Sequence, residues 1–107
     1  MHAGENVKRV TEVFELHPTE DTENELWRHG LYVEDAFDVL DENRYKVFRD
    51  PGHPDRLKLI GPGRSGRILT FVVTRPDGQG RSFVITGWPS DSDELTMHAR
   101  PGGTRHA

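Results

Sequence analysis

Residues 57–74 read Leu-Lys-Leu-Ile-Gly-Pro-Gly-Arg-Ser-Gly-Arg-Ile-Leu-Thr-Phe-Val-Val-Thr. Two apolar, β-branched runs flank a loop rich in Gly and Pro, which is the pattern of a β-hairpin. Similar runs occupy Tyr45–Phe48 and Phe83–Ile85, and short segments rich in Gly, Pro and Asp separate them from the hairpin. Because connections of five or six residues are too short for a crossover helix, we expect neighbouring strands to be antiparallel.

The residues before this sheet predict a strand and a short helix. Alternation over residues 10–16 indicates a strand that ends at Pro18. The sequence Thr-Glu-Asn-Glu at 22–25 has the pattern of a capping box, with Thr22 at the start of a helix that runs to residues 28–29. Gly30 is suited to the left-handed conformation that closes a helix.

A second helix is the clearest amphipathic segment of the chain. Its apolar residues recur at i, i+3, i+4 and i+7 and therefore share one face: Val33, Ala36, Phe37 and Leu40. We expect Leu26, Trp27 and this helix to close over one face of the sheet. The sequence thus predicts an α+β domain over residues 1–90, an antiparallel meander with two N-terminal helices on one face, in the order β-α-α-β-β-β-β. Residues 91–107 are expected to form a short helix, opened by Ser92 and ended by Pro101, or a flexible tail.

Length and composition exclude several classes of protein and of binding site. A chain of 107 residues is the size of one domain, and with no cysteine it has neither disulfides nor thiolate chemistry. No apolar stretch approaches the ~20 residues of a membrane span, and the N-terminus lacks a signal-peptide pattern, so we expect a cytoplasmic protein with no membrane contact. Six histidines show no H-E-x-x-H spacing, so no metal is expected. The loop Gly61–Gly66 fits G-x-G-x-x-G, the pattern of a dinucleotide-binding loop. That loop requires a helix directly after it to bind the phosphates, and here a strand follows, so no cofactor is expected.

The net charge of -4 hides a strong asymmetry along the chain. Residues 1–43 carry twelve acids and three bases, whereas residues 44–81 carry three acids and nine bases. Arg56 and Lys58 lie two apart on one strand and so share a face, where Arg67 and Arg81 can join them from neighbouring strands. Such cations can bind RNA phosphates and stabilise the charge that develops at a scissile phosphate, or they can simply be solvated residues that limit edge aggregation.

The element order and four short motifs resemble the BrnT-type family of bacterial toxins over about residues 13–86. The motifs are Phe14-Glu15, Arg28-His29-Gly30, Val33-Glu34-Asp35-Ala36 and Gly66-Arg67-Ile68-Leu69. The resemblance implies a RelE-like fold, ribosome-independent endoribonuclease activity and neutralisation by an antitoxin encoded beside the toxin.

Departures from the family pattern bear on the chemistry. Leu16-His17 replaces the usual Trp-Asp, Glu25 stands where Asn is usual, and Phe83 and Trp88 stand where two arginines are expected. An acidic stretch, Asp91–Glu94, replaces the family's basic helix start. Loss of two cations should slow a reaction with an anionic transition state.

Two functions therefore remain open. In the first, the protein is a toxin-like, metal-independent endoribonuclease with the following residues: Arg67 and Arg81 as catalytic cations, His29 or Glu15 for proton transfer, and Arg56, Lys58 and Arg64 for RNA binding. His29 can equally be an ordinary residue at a helix end. In the second, the domain is a catalytically inactive protein-interaction module with Trp88 as its anchor. Trp88 can alternatively stack on an RNA base.

Overall fold

The computed structural model describes residues 15–100, which form one five-stranded sheet and three helices. In chain order these are β1 (Glu15–Pro18), α1 (Thr22–Trp27), α2 (Val33–Glu42), β2 (Lys46–Arg49), β3 (Arg56–Pro62), β4 (Ile68–Thr74), β5 (Arg81–Pro89) and α3 (Ser92–Ala99). This order confirms the α+β prediction, including the short C-terminal helix. The predicted strand residues 10–14 lie outside the described part of the chain.

The sheet has the strand order β1-β5-β4-β3-β2. Strands β2 to β5 form the expected antiparallel meander, while β1 pairs in parallel with the first half of β5, from Glu15 beside Arg81 to Pro18 beside Val84. Ile85 is a bulge, since Val72 pairs with Thr86 and Val73 with Val84. No helix within residues 15–100 is long and apolar enough to cross a membrane.

Backbone conformation at two residues ends the first two helices. Gly30 has φ +75° after α1, as its position predicted, and Asn43 has φ 56° after α2. Both adopt the left-handed conformation that reverses the chain at a helix C-terminus. The capping box at the start of α1 is not formed, because Thr22 is inside the helix and Asp21 takes the N-cap position. The Thr22 hydroxyl instead donates to Val84 O at 2.6 Å, which fastens α1 to β5.

One apolar core lies between the sheet and helices α1 and α2. Alternate strand residues such as Leu57, Phe71 and Val84 pack there against Leu26 and Val39, and all five are fully buried. We call this side of the sheet the core face. The expectation that both N-terminal helices cover one face is therefore confirmed.

The prediction that Trp27 is a core residue was wrong. Its side chain is 62% exposed, whereas the preceding Leu26 is completely buried. Adjacent residues on a helix point about 100° apart, so a helix of only six residues that buries Leu26 directs Trp27 towards solvent.

The opposite side of the sheet, the distal face, carries the remaining strand residues, among them Arg56, Lys58 and Trp88. Helix α3 lies on this face, since its Glu94 bonds to Thr70 and Trp88. The sheet is thus covered by α1 and α2 on one side and, at one end of the other side, by α3.

Candidate active site

The end of the distal face where β3 and β5 begin gathers polar and aromatic side chains from four strands. His17 of β1 is paired with Phe83 of β5, the backbone N–H of Phe83 donates to Thr74 Oγ1 of β4, and Thr74 is paired with Arg56 of β3. Because strands are about 4.8 Å apart, these residues form a row across the sheet. Glu15 and Arg81, one pleat further along, lie beside it.

His17 and Glu15 form the only His–carboxylate contact within residues 15–100. His17 Nε2 lies 3.2 Å from Glu15 Oε1, and the imidazole ring packs against Phe83 with a centroid distance of 5.6 Å. His17 Nε2 is buried and makes no hydrogen bond. A histidine is the side chain most often used as a general base, so this residue is the proton-transfer candidate at this end of the sheet.

Arg81 is held in place by the turn that precedes β5. Its Nε donates to Asp77 Oδ2 at 2.9 Å, while the backbone N–H groups of Arg81 and Gln79 donate to Asp77 Oδ1. These backbone hydrogen bonds, followed by the Arg81 guanidinium, lower the pKa of the Asp77 carboxyl. The carboxylate therefore holds the guanidinium at the turn, while the Arg81 backbone is paired with Glu15 of β1.

Arg56 contributes a cation whose Nε is buried and makes no hydrogen bond. A buried donor without an acceptor is unfavourable and is a position where an anion gains a strong interaction. Lys58 shares the distal face, as the spacing of two predicted, but its Nζ lies 3.6 Å from Glu94 Oε2 and is partly neutralised.

Two predicted cations lie elsewhere. Arg64 and Arg67 belong to the β3–β4 loop, at the opposite end of the sheet from Arg56. Six residues of strand separate the two ends, roughly 20 Å at the usual rise per residue. Arg64 Nη2 pairs with Asp38 Oδ1 of α2 at 3.0 Å, and Arg67 is exposed. The structure does not bring these two arginines to Arg81.

His29 and Trp88 contact each other at the α3 end of the sheet. The rings meet edge to face with centroids 6.2 Å apart, and His29 is exposed. Trp88 is half-buried and its Nε1 donates to Glu94 Oε1 at 2.9 Å, with Lys58 Nζ 5.9 Å from the ring centre. Because His29 contacts Trp88, it is separate from Glu15, the other predicted proton-transfer residue.

Glu94 is the centre of a hydrogen-bonded cluster that fastens α3 to the sheet. The residue is 4% exposed, and its Oε1 accepts from Thr70 Oγ1, Trp88 Nε1 and the backbone N–H of Asp91. Three donors converge on one carboxyl oxygen, so the cluster satisfies a polar group that would otherwise be unfavourable to bury.

Sequence reasoning missed His17 as a functional candidate. The signal was present, because Glu15 and His17 are two apart on a predicted strand and must point to the same side. No group of three or more His, Cys, Asp or Glu side chains within residues 15–100 is arranged to hold a metal ion.

Comparisons with known proteins leave the family of this chain open. No protein-family model matches the sequence, and no curated protein is significantly similar to it.

Proposed function

We propose that this protein is a metal-independent endoribonuclease of the toxin-like type, with its active site at the end of the distal face formed by His17, Glu15, Arg81 and Arg56. One observation carries the proposal: the His17–Glu15 pair of β1 lies next to Arg81 in the strand register and in one row of the sheet with Phe83, Thr74 and, three strands away, Arg56. Cleavage of RNA by its own 2′-hydroxyl needs only a base, a proton donor and cations at the phosphate.

The proposed reaction begins when one ring nitrogen of neutral His17 accepts the proton of a ribose 2′-hydroxyl. The 2′-oxygen then forms a bond to phosphorus, and the bond from phosphorus to the 5′-oxygen of the next nucleotide breaks. Arg81 and Arg56 stabilise the negative charge that develops on the phosphoryl oxygens. The leaving 5′-oxygen takes a proton from water, and the hydroxide left behind takes the proton that His17 holds, so the products are a 2′,3′-cyclic phosphate and a 5′-hydroxyl.

Glu15 is proposed as a positioning residue rather than as the base. Its Oε1 lies 3.2 Å from His17 Nε2, so it restricts the orientation of the imidazole ring. Phe83, which packs on His17, offers an apolar ring against which a nucleobase can stack.

The alternative, an inactive interaction module anchored by Trp88, has weaker support. The indole N–H of Trp88 is bonded to Glu94 within the chain, which leaves less of that side chain for a partner. The resemblance to BrnT-type toxins supports an RNA substrate in the cytoplasm and an antitoxin as protein partner.

The test is cleavage of a single-stranded RNA with EDTA present, comparing wild type with His17→Ala, Arg81→Ala and His29→Ala. We expect His17→Ala and Arg81→Ala each to reduce the rate about 10²-fold or more. Arg67→Ala is the matched control, an exposed arginine at the other end of the sheet, and should change the rate less than about threefold.

Each contrary result has a definite meaning. If folded wild-type protein does not cleave, the enzyme proposal fails. If His29→Ala abolishes cleavage while His17→Ala does not, the reaction takes place at the α3 end of the sheet and the assigned site is wrong.

A further inference from the structure

Two aromatic side chains, Trp27 and Tyr32, form an exposed pair on the helical side of the molecule. They are 62% and 57% exposed, and their rings are in contact with centroids 5.6 Å apart. Only one other large hydrophobic side chain in the described part of the chain is exposed, Leu95 of α3. Large aromatic groups that stay in water are a recognised mark of interaction surfaces.

The backbone beneath the pair is firmly held. Leu26 and Leu31 are buried on either side of the turn, and Leu31 N donates to Leu26 O at 2.9 Å across Gly30. Tyr32 N donates to Asp35 Oδ2 at 2.8 Å at the start of α2. The two rings are therefore displayed by an ordered turn, so a partner loses little entropy in ordering them.

The surroundings of the pair are acidic. Residues 20–42 contain nine carboxylates and a single Arg or Lys, Arg28. Glu23 is four residues before Trp27 and so lies on the same face of α1, and Glu34 and Asp35 follow Tyr32 at the start of α2. Arg28 itself lies 3.7 Å from Glu25, so it is already paired. The surface has negative charge beside a polarisable aromatic centre.

We propose that the Trp27–Tyr32 pair and its neighbouring carboxylates dock an arginine-rich segment of a protein partner. A guanidinium group stacks on an indole or phenol ring and forms two parallel hydrogen bonds to a carboxylate, so it satisfies both features at once. An apolar segment would leave the carboxylates desolvated and unpaired, and a nucleic acid would be repelled by them. The inference does not depend on the ribonuclease proposal, since Trp27 of α1 and Tyr32, which directly precedes α2, are not among the proposed active-site residues.

The test uses a fluorescein-labelled nona-arginine peptide and follows its anisotropy as the protein is added at 100 mM salt. We expect Trp27→Ala to weaken binding about tenfold, because the ring supplies the stacking surface. Glu23→Gln should weaken binding severalfold, and nona-lysine should bind more weakly than nona-arginine because ammonium groups cannot stack or bind in a bidentate manner. Leu95→Ala is the matched control, an exposed hydrophobic on another helix, and should bind as wild type does. Thermal melts check that each variant folds.

Three results would overturn the proposal. Equal affinity of Trp27→Ala and wild type would show that only net charge attracts the peptide. Equal affinity for nona-lysine and nona-arginine would remove the argument from stacking. Sedimentation that shows wild-type dimers and monomeric Trp27→Ala would show that a second copy of the chain covers the pair.

Discussion

Glu94 illustrates how one side chain decides the position of a whole helix. It is the only carboxylate in the described residues that is buried, and it receives three hydrogen bonds from both the sheet and its own helix. In the sequence it is one of three acids at the start of a helix, where acids are expected because of the helix dipole. Its place three residues after Asp91 fits a capping box, but its burial depends on Thr70 and Trp88 of the sheet.

We predict that Glu94→Ala lowers the free energy of unfolding by about 2–3 kcal/mol, because it leaves the Trp88 indole and the backbone N–H of Asp91 without their acceptor. Urea denaturation followed by circular dichroism measures the change. The neighbouring exposed Asp93→Ala removes only a charge at the helix start and should cost less than about 1 kcal/mol. Equal losses in the two variants would mean that the cluster contributes nothing beyond charge.

The residues that sequence reasoning placed correctly are those whose position follows from periodicity. Arg56 and Lys58 share a face because strand side chains alternate, and Ala36 is buried because it belongs to a helical stripe. The burial of Trp27 was predicted wrongly because α1 is too short to have a periodic pattern. The spacing of Glu15 and His17 was available as a signal, but their position next to Phe83 and Arg81 depends on the pairing of β1 with β5, which no local pattern indicates.

At the scale of elements, close packing between β2 and β3 depends on a glycine. A Cβ on Gly61 would lie 2.6 Å from Tyr45 Cα, a backbone atom that cannot move aside. Tyr45 is itself buried in the core, so the segment before β2 cannot shift without loss of packing.

We predict that Gly61→Ala lowers the free energy of unfolding by about 1–3 kcal/mol, the range typical of an overpacked buried site. The thermal melting temperature measures the effect. Gly78→Ala is the control, since a Cβ there meets nothing within 4 Å, and it should melt close to wild type. If Gly61→Ala melts at the wild-type temperature, β2 and β3 can move apart without loss of stability.

The β4–β5 turn makes a contribution to stability that depends on pH. Backbone N–H groups of Arg81 and Gln79, and then the Arg81 side chain, lower the pKa of Asp77 in the folded protein. A carboxyl whose folded pKa is below its unfolded value stabilises the fold above the unfolded value, about 3.9. The contribution disappears as the pH falls through the lower, folded pKa.

We therefore predict that the difference in melting temperature between wild type and Asp77→Asn is constant above about pH 5 and shrinks below about pH 4. Asp55→Asn, an exposed acid whose side chain makes no hydrogen bond within residues 15–100, serves as control and should show no such change. A difference between wild type and Asp77→Asn that persists at low pH would mean that the turn is held by the backbone alone.

The four antiparallel strands and α2 could be predicted because each has a local pattern and short connections force neighbours together. The parallel pairing of β1 with β5 had no such signal, since about 60 residues separate the two strands. Hydrogen bonds from Thr22 to Val84 and packing of Leu26 decide where the chain returns. These contacts form only when the whole sheet is present, so they are properties of the fold and not of the segment.

At the scale of the molecule, the division into an acidic first part and a basic middle part is only partly preserved in three dimensions. The acids of residues 20–42 remain together on α1, α2 and the adjoining loops, but the bases of residues 44–81 are distributed between both ends of the sheet. Arg64 pairs with Asp38, Arg81 with Asp77 and Lys58 with Glu94. A binding site for RNA therefore depends on few cations.

We predict a shallow salt dependence of RNA binding for this reason. With Arg56 and Arg81 as the principal phosphate contacts, a plot of log affinity against log salt should have a slope of about -1.5 for single-stranded RNA. Fluorescence anisotropy of a labelled RNA, measured with the non-cleaving variant His17→Ala, gives this slope. Arg56→Ala should reduce its magnitude by about 0.7, whereas Arg67→Ala should leave it unchanged. A slope steeper than about -4 would require many more phosphate contacts than this end of the sheet supplies, and would place the RNA along the opposite end as well.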